Sequence, residues 1–168
     1  MIPTVYWVHG LRHGKLAVVS RPDPAFGLAQ QLQALRVEGL DVLVSMLQTD
    51  EATHLGLTWE ADVAKEVGLD FHHLPTDDFG VPVSFDAAGT LIGMIAAKIA
   101  AGHAVGVHCF AGRGRSPLFA SAVLVQLGAT PEAAIEAVSE ARGRRIPETE
   151  DQRRWVGDFA AWRRGTAA

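Results

Sequence analysis

VGVHCFAGRGRSPLF, residues 105–119, places an apolar run directly before the only cysteine of the chain and follows it with a glycine-rich segment carrying Arg113 and Arg115. Read as strand to His108, loop to Arg115 and helix over 117–127, the stretch sets Cys109 at the carboxyl end of a strand. In an open parallel sheet that is where ligands gather. Gly112 and Gly114 can supply the positive φ values of a concave turn, so that the amides of Phe110, Ala111, Gly112, Arg113, Gly114 and Arg115 converge on one tetrahedral anion. The helix that follows points its positive end into the same space. Arg115 adds a planar fork able to grip two oxygens at once. The field that binds an anion also favours thiolate over thiol, so the loop readies a nucleophile and holds its target with the same groups.

An isolated cysteine is most often a small buried apolar residue. Here chance would have to supply the strand, both glycines, Arg115, the Ser116 hydroxyl and the helix together, and the functional reading prevails.

Working outward, β-rich runs lie at 4–8, 15–19, 42–47, 70–74 and 104–108. Helical patterns lie between most of them. Asp23-Pro24 opens one, with Leu28, Leu32 and Leu35 on a face ending at Gly39; Thr58 opens a second to Gly68; Ser84 opens a third carrying Leu91, Ile95 and Ile99. After Ser116 the chain reads as helical, with Thr130-Pro131 starting a helix to about Arg142 and Thr149 starting the last. There Trp155, Phe159 and Trp162 form a packing stripe. Strands alternating with helices predict an α/β fold, one mostly parallel sheet of about five strands flanked by helices.

With 168 residues, nearly half of them apolar, the chain suits one domain spanning 1–168. Residues 1–108 hold 6 basic and 12 acidic side chains, and 109–168 hold 9 and 7, so positive charge gathers in the part that contains the loop. The balance fits a small anion site and excludes a nucleic-acid surface. Lys98 and His103 interrupt the most apolar region, against a membrane span. No export signal is legible at the N-terminus, and a lone cysteine suits a reducing cytoplasm.

HCFAGRGRS, residues 108–116, resembles the signature of the cysteine-dependent protein tyrosine phosphatase superfamily: His-Cys, five residues, Arg, then Ser or Thr. The small size of the chain and LPTDDFGVP at 74–82 are most similar to the compact dual-specificity phosphatases. The resemblance implies a phosphomonoesterase that needs no metal or other cofactor, with Cys109 as nucleophile and a phosphocysteine intermediate. Arg115 and the loop amides would hold the phosphoryl oxygens, and Ser116 would donate to the departing sulfur. Its substrates would be phosphorylated proteins or small phosphomonoesters.

Cleavage of a phosphate ester leaves an oxyanion that needs a proton, and a carboxylic acid on a loop above the pocket can supply it. Asp77 and Asp78 are both candidates. The family pattern points to Asp78, with burial against Phe79 favouring its protonated form; Asp77 reads as a turn residue. His108 should face away from Cys109 and make a buried orienting hydrogen bond. His72 and His73 face opposite sides of a strand, a poor metal site. Thr149 and Gln152 fit a capping box, while Arg142, Arg144 and Arg145 fit a solvated helix C-terminus. Arg113 fits either the pocket rim or a structural ion pair. Pro117 stands where glycine is frequent and restricts Ser116.

Two rival functions remain compatible with the loop: a phosphate-binding module with little turnover, and another thiolate enzyme such as a sulfurtransferase or arsenate reductase. Binding alone needs no thiol, sulfur transfer has no need of Asp78, and thiol-linked reduction recruits further cysteines.

Overall fold

Each of the five β-rich runs forms a strand in the computed structural model, which describes residues 1–166: β1 (Val5–Trp7), β2 (Lys15–Val19), β3 (Val42–Ser45), β4 (Asp70–His73) and β5 (Ala104–His108). They make one sheet in the order β1-β2-β5-β3-β4. Only β1 runs antiparallel, and β2, β5, β3 and β4 are parallel to one another. The predicted α/β class and mostly parallel sheet are therefore observed. Met46 and Leu47 lie beyond the end of β3, where Met46 N–H still reaches the carbonyl of His108 at 3.0 Å.

The helices are α1 (Leu28–Val37), α2 (Thr49–His54), α3 (Glu60–Glu66), α4 (Phe85–Ala100), α5 (Arg115–Gln126), α6 (Pro131–Arg142) and α7 (Glu150–Thr166). Several elements differ from the sequence reading, and Thr58 lies in a turn ahead of α3 and does not open it. The segment from Asp23 breaks into a short 3-10 turn, Pro24–Phe26, and α1, because Gly27 between them takes φ +81°. The loop helix starts at Arg115, two residues before the predicted 117, with Gly114 as its N-cap. Helix α2 was not anticipated: its sequence TDEATH buries no residue and so has no apolar periodicity. Ser84 and Thr130 cap α4 and α6 as read, each accepting a backbone N–H.

Strand side chains alternate between two cores. Leu16, Val18, Val42, Val44, Val105 and Val107 face α4, α5, α6 and α7, whereas Ala17, Val19 and Leu43 face α1 and α3. Helix α5 runs through the larger core, buried from Arg115 to Val125, so the loop leading into it is backed by packed hydrocarbon. The stripe on α7 is core, as expected: Trp155, Phe159, Trp162 and Phe85 stack with ring centroids 5.2–5.8 Å apart. Among the described residues no helix is long and apolar enough to cross a membrane.

Phe159 is fully buried at the centre of this stack. Phe159→Ala is expected to destabilise the protein by about 3–5 kcal/mol in urea unfolding. A loss below about 1 kcal/mol would contradict the packing described.

Candidate active site

Strand β5 ends at His108, and the alternation of the strand turns His108 toward α3 while Cys109 enters the opposite core. His108 is fully buried and its Nε2 lies 2.8 Å from Oε1 of Glu60, itself 3% exposed. The buried orienting bond expected for His108 is present, and its partner, Glu60 on α3, ties that helix to the base of the loop. Register places Ser45 between His73 and His108 across three strands. His72 and His73 diverge as read, one onto Asp70 and the other onto the carbonyl of Leu47.

The loop 109–115 is clamped from several directions. Arg142 donates from Nε to the Gly112 carbonyl at 3.1 Å and from an Nη to the Ala111 carbonyl at 3.2 Å, and lies over the Tyr6 ring. In a trans peptide the C=O and the following N–H point oppositely. Fixing those two carbonyls on Arg142 therefore turns the amides of Gly112 and Arg113 the other way. Arg142 is not the solvated helix-end residue that was expected, because its long side chain reaches across to the loop. Gly112 takes φ +67°, as the turn requires. Gly114 does not, and its need for glycine is steric: a Cβ there would lie 2.7 Å from the Gln152 amide nitrogen. Gln152 makes the capping box with Thr149, and its Nε2 also donates to the carbonyl of Gly80, which joins the aspartate loop to α7.

Arg115 is 1% exposed and Ser116 fully buried. The Ser116 hydroxyl is 3.2 Å from the Cys109 sulfur. It does not cap α5, because the helix already begins at Arg115. Pro117 falls within the first turn, where its missing N–H costs nothing, and leaves the hydroxyl on the sulfur. The Arg115 fork meets Glu51 of α2 in a bidentate pair of 2.7 and 2.9 Å and donates to the Thr76 carbonyl at 3.0 Å. Its Nη2 is also 3.2 Å from Asp78 Oδ1. Burial alone would favour a neutral guanidinium, but the Glu51 hydrogen bond and the charges of Cys109, Glu51 and Asp78 outweigh it and hold the pKa of Arg115 above its ordinary value. Glu51 is held below the usual carboxylate range, first by its hydrogen bond from Arg115, against the opposing effect of burial.

Of the two aspartates, Asp78 lies against Arg115, while Asp77 accepts a hydrogen bond from Gln48 Nε2 at 2.7 Å. The expected burial of Asp78 against Phe79 is not found. Asp78 is about half exposed, and Phe79, at φ +59°, turns its ring into solvent. Phe110 is exposed at the rim, and Arg113 is exposed with its carbonyl accepting from Glu148 N–H. The structure thus gathers Cys109, Arg115, Ser116 and Asp78, and it adds Glu51 and Glu60, which the sequence reading missed. Glu51 had one legible cue, the Gln48/Glu51 capping box that it closes with its other function.

Residues 17–129 match the family model described as polymorphic toxin system, DSP-PTPase phosphatase. The chain belongs to the DSP-PTPase family. The chain is also similar to protein tyrosine phosphatase PRL-1 of Leishmania major, 28% identical over 141 residues that cover 76% of this chain and 79% of that protein. Its fold matches a kinase-associated phosphatase whose catalytic-site cysteine is replaced by serine, at a TM-score of 0.87 and 20% identity, covering 100% of this chain and 98% of the other. It likewise matches PTPMT1 in complex with PI(5)P, at a TM-score of 0.76 and 25% identity over 97% and 99% of the two chains. The DSP-PTPase described here is accordingly a cysteine-based phosphatase acting on phosphorylated substrates, and the rival readings as a passive phosphate module or a sulfurtransferase are not favoured.

A carboxylate held below its ordinary pKa adds stability above about pH 4 that disappears as pH falls through the lowered value. Glu51→Gln is therefore expected to cost about 1–3 kcal/mol near neutrality, and the gap from wild type should close on acidification in urea unfolding at stepped pH. A gap constant from pH 7 to about pH 3 would contradict the ion pair.

Proposed function

We propose that this DSP-PTPase hydrolyses phosphotyrosine in proteins, and with it phosphoserine and phosphothreonine, through a phosphocysteine formed on Cys109. The observation that carries the reading is the convergence on one loop of the Cys109 sulfur, 3.2 Å from Ser116, and of Arg115, held in place by Glu51 and touched by Asp78. The amides of residues 110–115 and Arg115 take the three equatorial oxygens. The Cys109 thiolate attacks phosphorus in line, so that the S–P bond forms as the ester P–O bond breaks. Asp78 gives its proton to the departing oxygen. Water then attacks phosphorus, Asp78 takes a proton from it, and the S–P bond breaks with the sulfur accepting a hydrogen bond from Ser116.

The structure suggests how the acid is released. Arg115 presents donors to Glu51, the Thr76 carbonyl and Asp78. A phosphate dianion arriving at this fork competes with Asp78 for Nη2, and the displaced carboxylate, no longer opposed by the guanidinium, takes a proton from solvent before it swings toward the leaving oxygen. Charge stabilisation by Arg115 and the oriented amides gives the phosphoryl group its electrostatic partners without calling on a metal. A loop with Arg113 and no lysine favours a protein phosphoester over a polyphosphorylated headgroup, and the lone thiol suits action in the cytoplasm.

Hydrolysis of p-nitrophenyl phosphate with a chelator present tests the reading. Cys109→Ser should lose at least about 1,000-fold in kcat. Asp78→Asn should lose about 100-fold and the basic limb of the pH–rate profile, while Asp77→Asn keeps that limb. Sulfur transfer from thiosulfate faster than phosphate release would overturn the proposal.

A further inference from the structure

Arg21 stands apart from the other arginines. Arg36, Arg142, Arg153 and Arg163 are half-buried like Arg21, and each is hydrogen-bonded to a carbonyl, carboxylate or amide oxygen. Arg21 makes no hydrogen bond or ion pair with any described residue; its Nε is buried without a partner, as is that of Arg153, but Arg153 bonds through both Nη groups. A guanidinium fixed beside protein whose donors meet no protein acceptor can receive an anion.

Its location is set by the sheet. β2 and β5 are parallel neighbours, with Val18 opposite Val107, so the two chains leave the sheet side by side and bring Arg21 next to Phe110. The guanidinium lies 5.0 Å from the Phe110 ring centroid in a cation–π stack. Phe110 follows Cys109 directly and is 48% exposed, which puts the stack on the rim and not under the phosphate. Arg115 already faces Glu51 and Asp78, two carboxylates. Arg21, Arg113 and Arg142 border the loop without an ion pair among the described residues, and Arg142 is already engaged with the loop carbonyls. Arg21 is also near enough to Glu51 to add, behind the Arg115 hydrogen bond, to the lowering of its pKa.

We propose that Arg21, held over Phe110, is a specificity-determining residue that forms a second anion subsite beside the phosphate loop and selects phosphopeptides with an acidic side chain next to the phosphorylated residue. The inference rests on the phosphatase reading above and names the substrate class for that site. The exposed rings of Phe110, next to Cys109, and Phe79, next to Asp78, add apolar surface beside the site. Such a rim suits peptide side chains better than a sugar polyphosphate, which would call for cations on every side.

Two phosphotyrosine peptides, identical except for glutamate or alanine flanking the phosphorylated residue, test the proposal. Wild type should favour the acidic peptide by about fivefold in kcat/KM, through KM, with the preference shrinking as salt rises. In Arg21→Met, which keeps an apolar stem on Phe110, the ratio between the peptides should fall to about one, and Arg21→Lys should retain part of it. Because each variant is read as a ratio of two substrates, a general loss of activity does not imitate the effect. The same ratio measured as peptide affinity in Cys109→Ser, with and without Arg21→Met, separates this proposal from the one it rests on. An Arg21-dependent difference in affinity, with wild type turning over neither peptide, would uphold the subsite and refute the phosphotyrosine reading. A preference that survives Arg21→Met, no preference in wild type, or a larger Arg21-dependent gain for an inositol bisphosphate than for the acidic peptide would each overturn the proposal.

Discussion

A guanidinium buried at the heart of a small α/β protein is the constraint to which the rest of the site answers. An arginine 1% exposed is costly unless its donors are met and its charge opposed. Arg115 is met on three sides, by the Glu51 carboxylate, the Thr76 carbonyl and Asp78. Those contacts fix the direction of the fork, and they also tie α2, the end of the β4 segment and the aspartate loop to the first turn of α5. Removing any one of them alters the others, because all share one planar cation. The positive charge needed to hold a phosphoryl group is therefore built in at the cost of enlisting two carboxylates, one of which the proposed mechanism releases when substrate arrives.

The loop around that cation is held rigid by contacts remote from the reacting atoms. Arg142 pins two carbonyls outward from α6, Gln152 fills the space that the missing Cβ of Gly114 leaves, and Glu148 N–H meets the carbonyl of Arg113. Below, Glu60 holds His108 from the opposite face of the sheet. Preorganised donors contribute to catalysis because they need not reorient as charge develops. Helices α3, α6 and α7 thus serve the loop as much as they cover the sheet, and Gln152 couples the loop to the aspartate segment through the Gly80 carbonyl.

Much of this was legible in sequence, for physical reasons that differ by element. Four of the five strands carry Val-containing runs, β4 being DFHH, and the parallel arrangement follows from the helices between strands. Cys109, Arg115 and Ser116 are close in sequence, so their spacing states their geometry almost directly. Glu51 and Glu60 were not assigned to the site, because each meets its partner across a long separation in sequence, and α2, which carries Glu51, has no apolar periodicity. Arg142 was misread for a related reason: its place at a helix end is local, but its partners are not. The burial expected for Asp78 failed because Phe79 adopts a left-handed backbone and turns outward.

The most direct test of the central claim, that Arg115 and the loop deliver a phosphoryl group to the Cys109 sulfur, is rapid acid quench of the enzyme turning over a labelled aryl phosphate, followed by mapping of the bound label. The account predicts up to one acid-stable phosphate per chain, on the peptide containing Cys109 and absent from Cys109→Ser. Turnover at full rate with no label on that peptide, or with label on a different side chain, would contradict it.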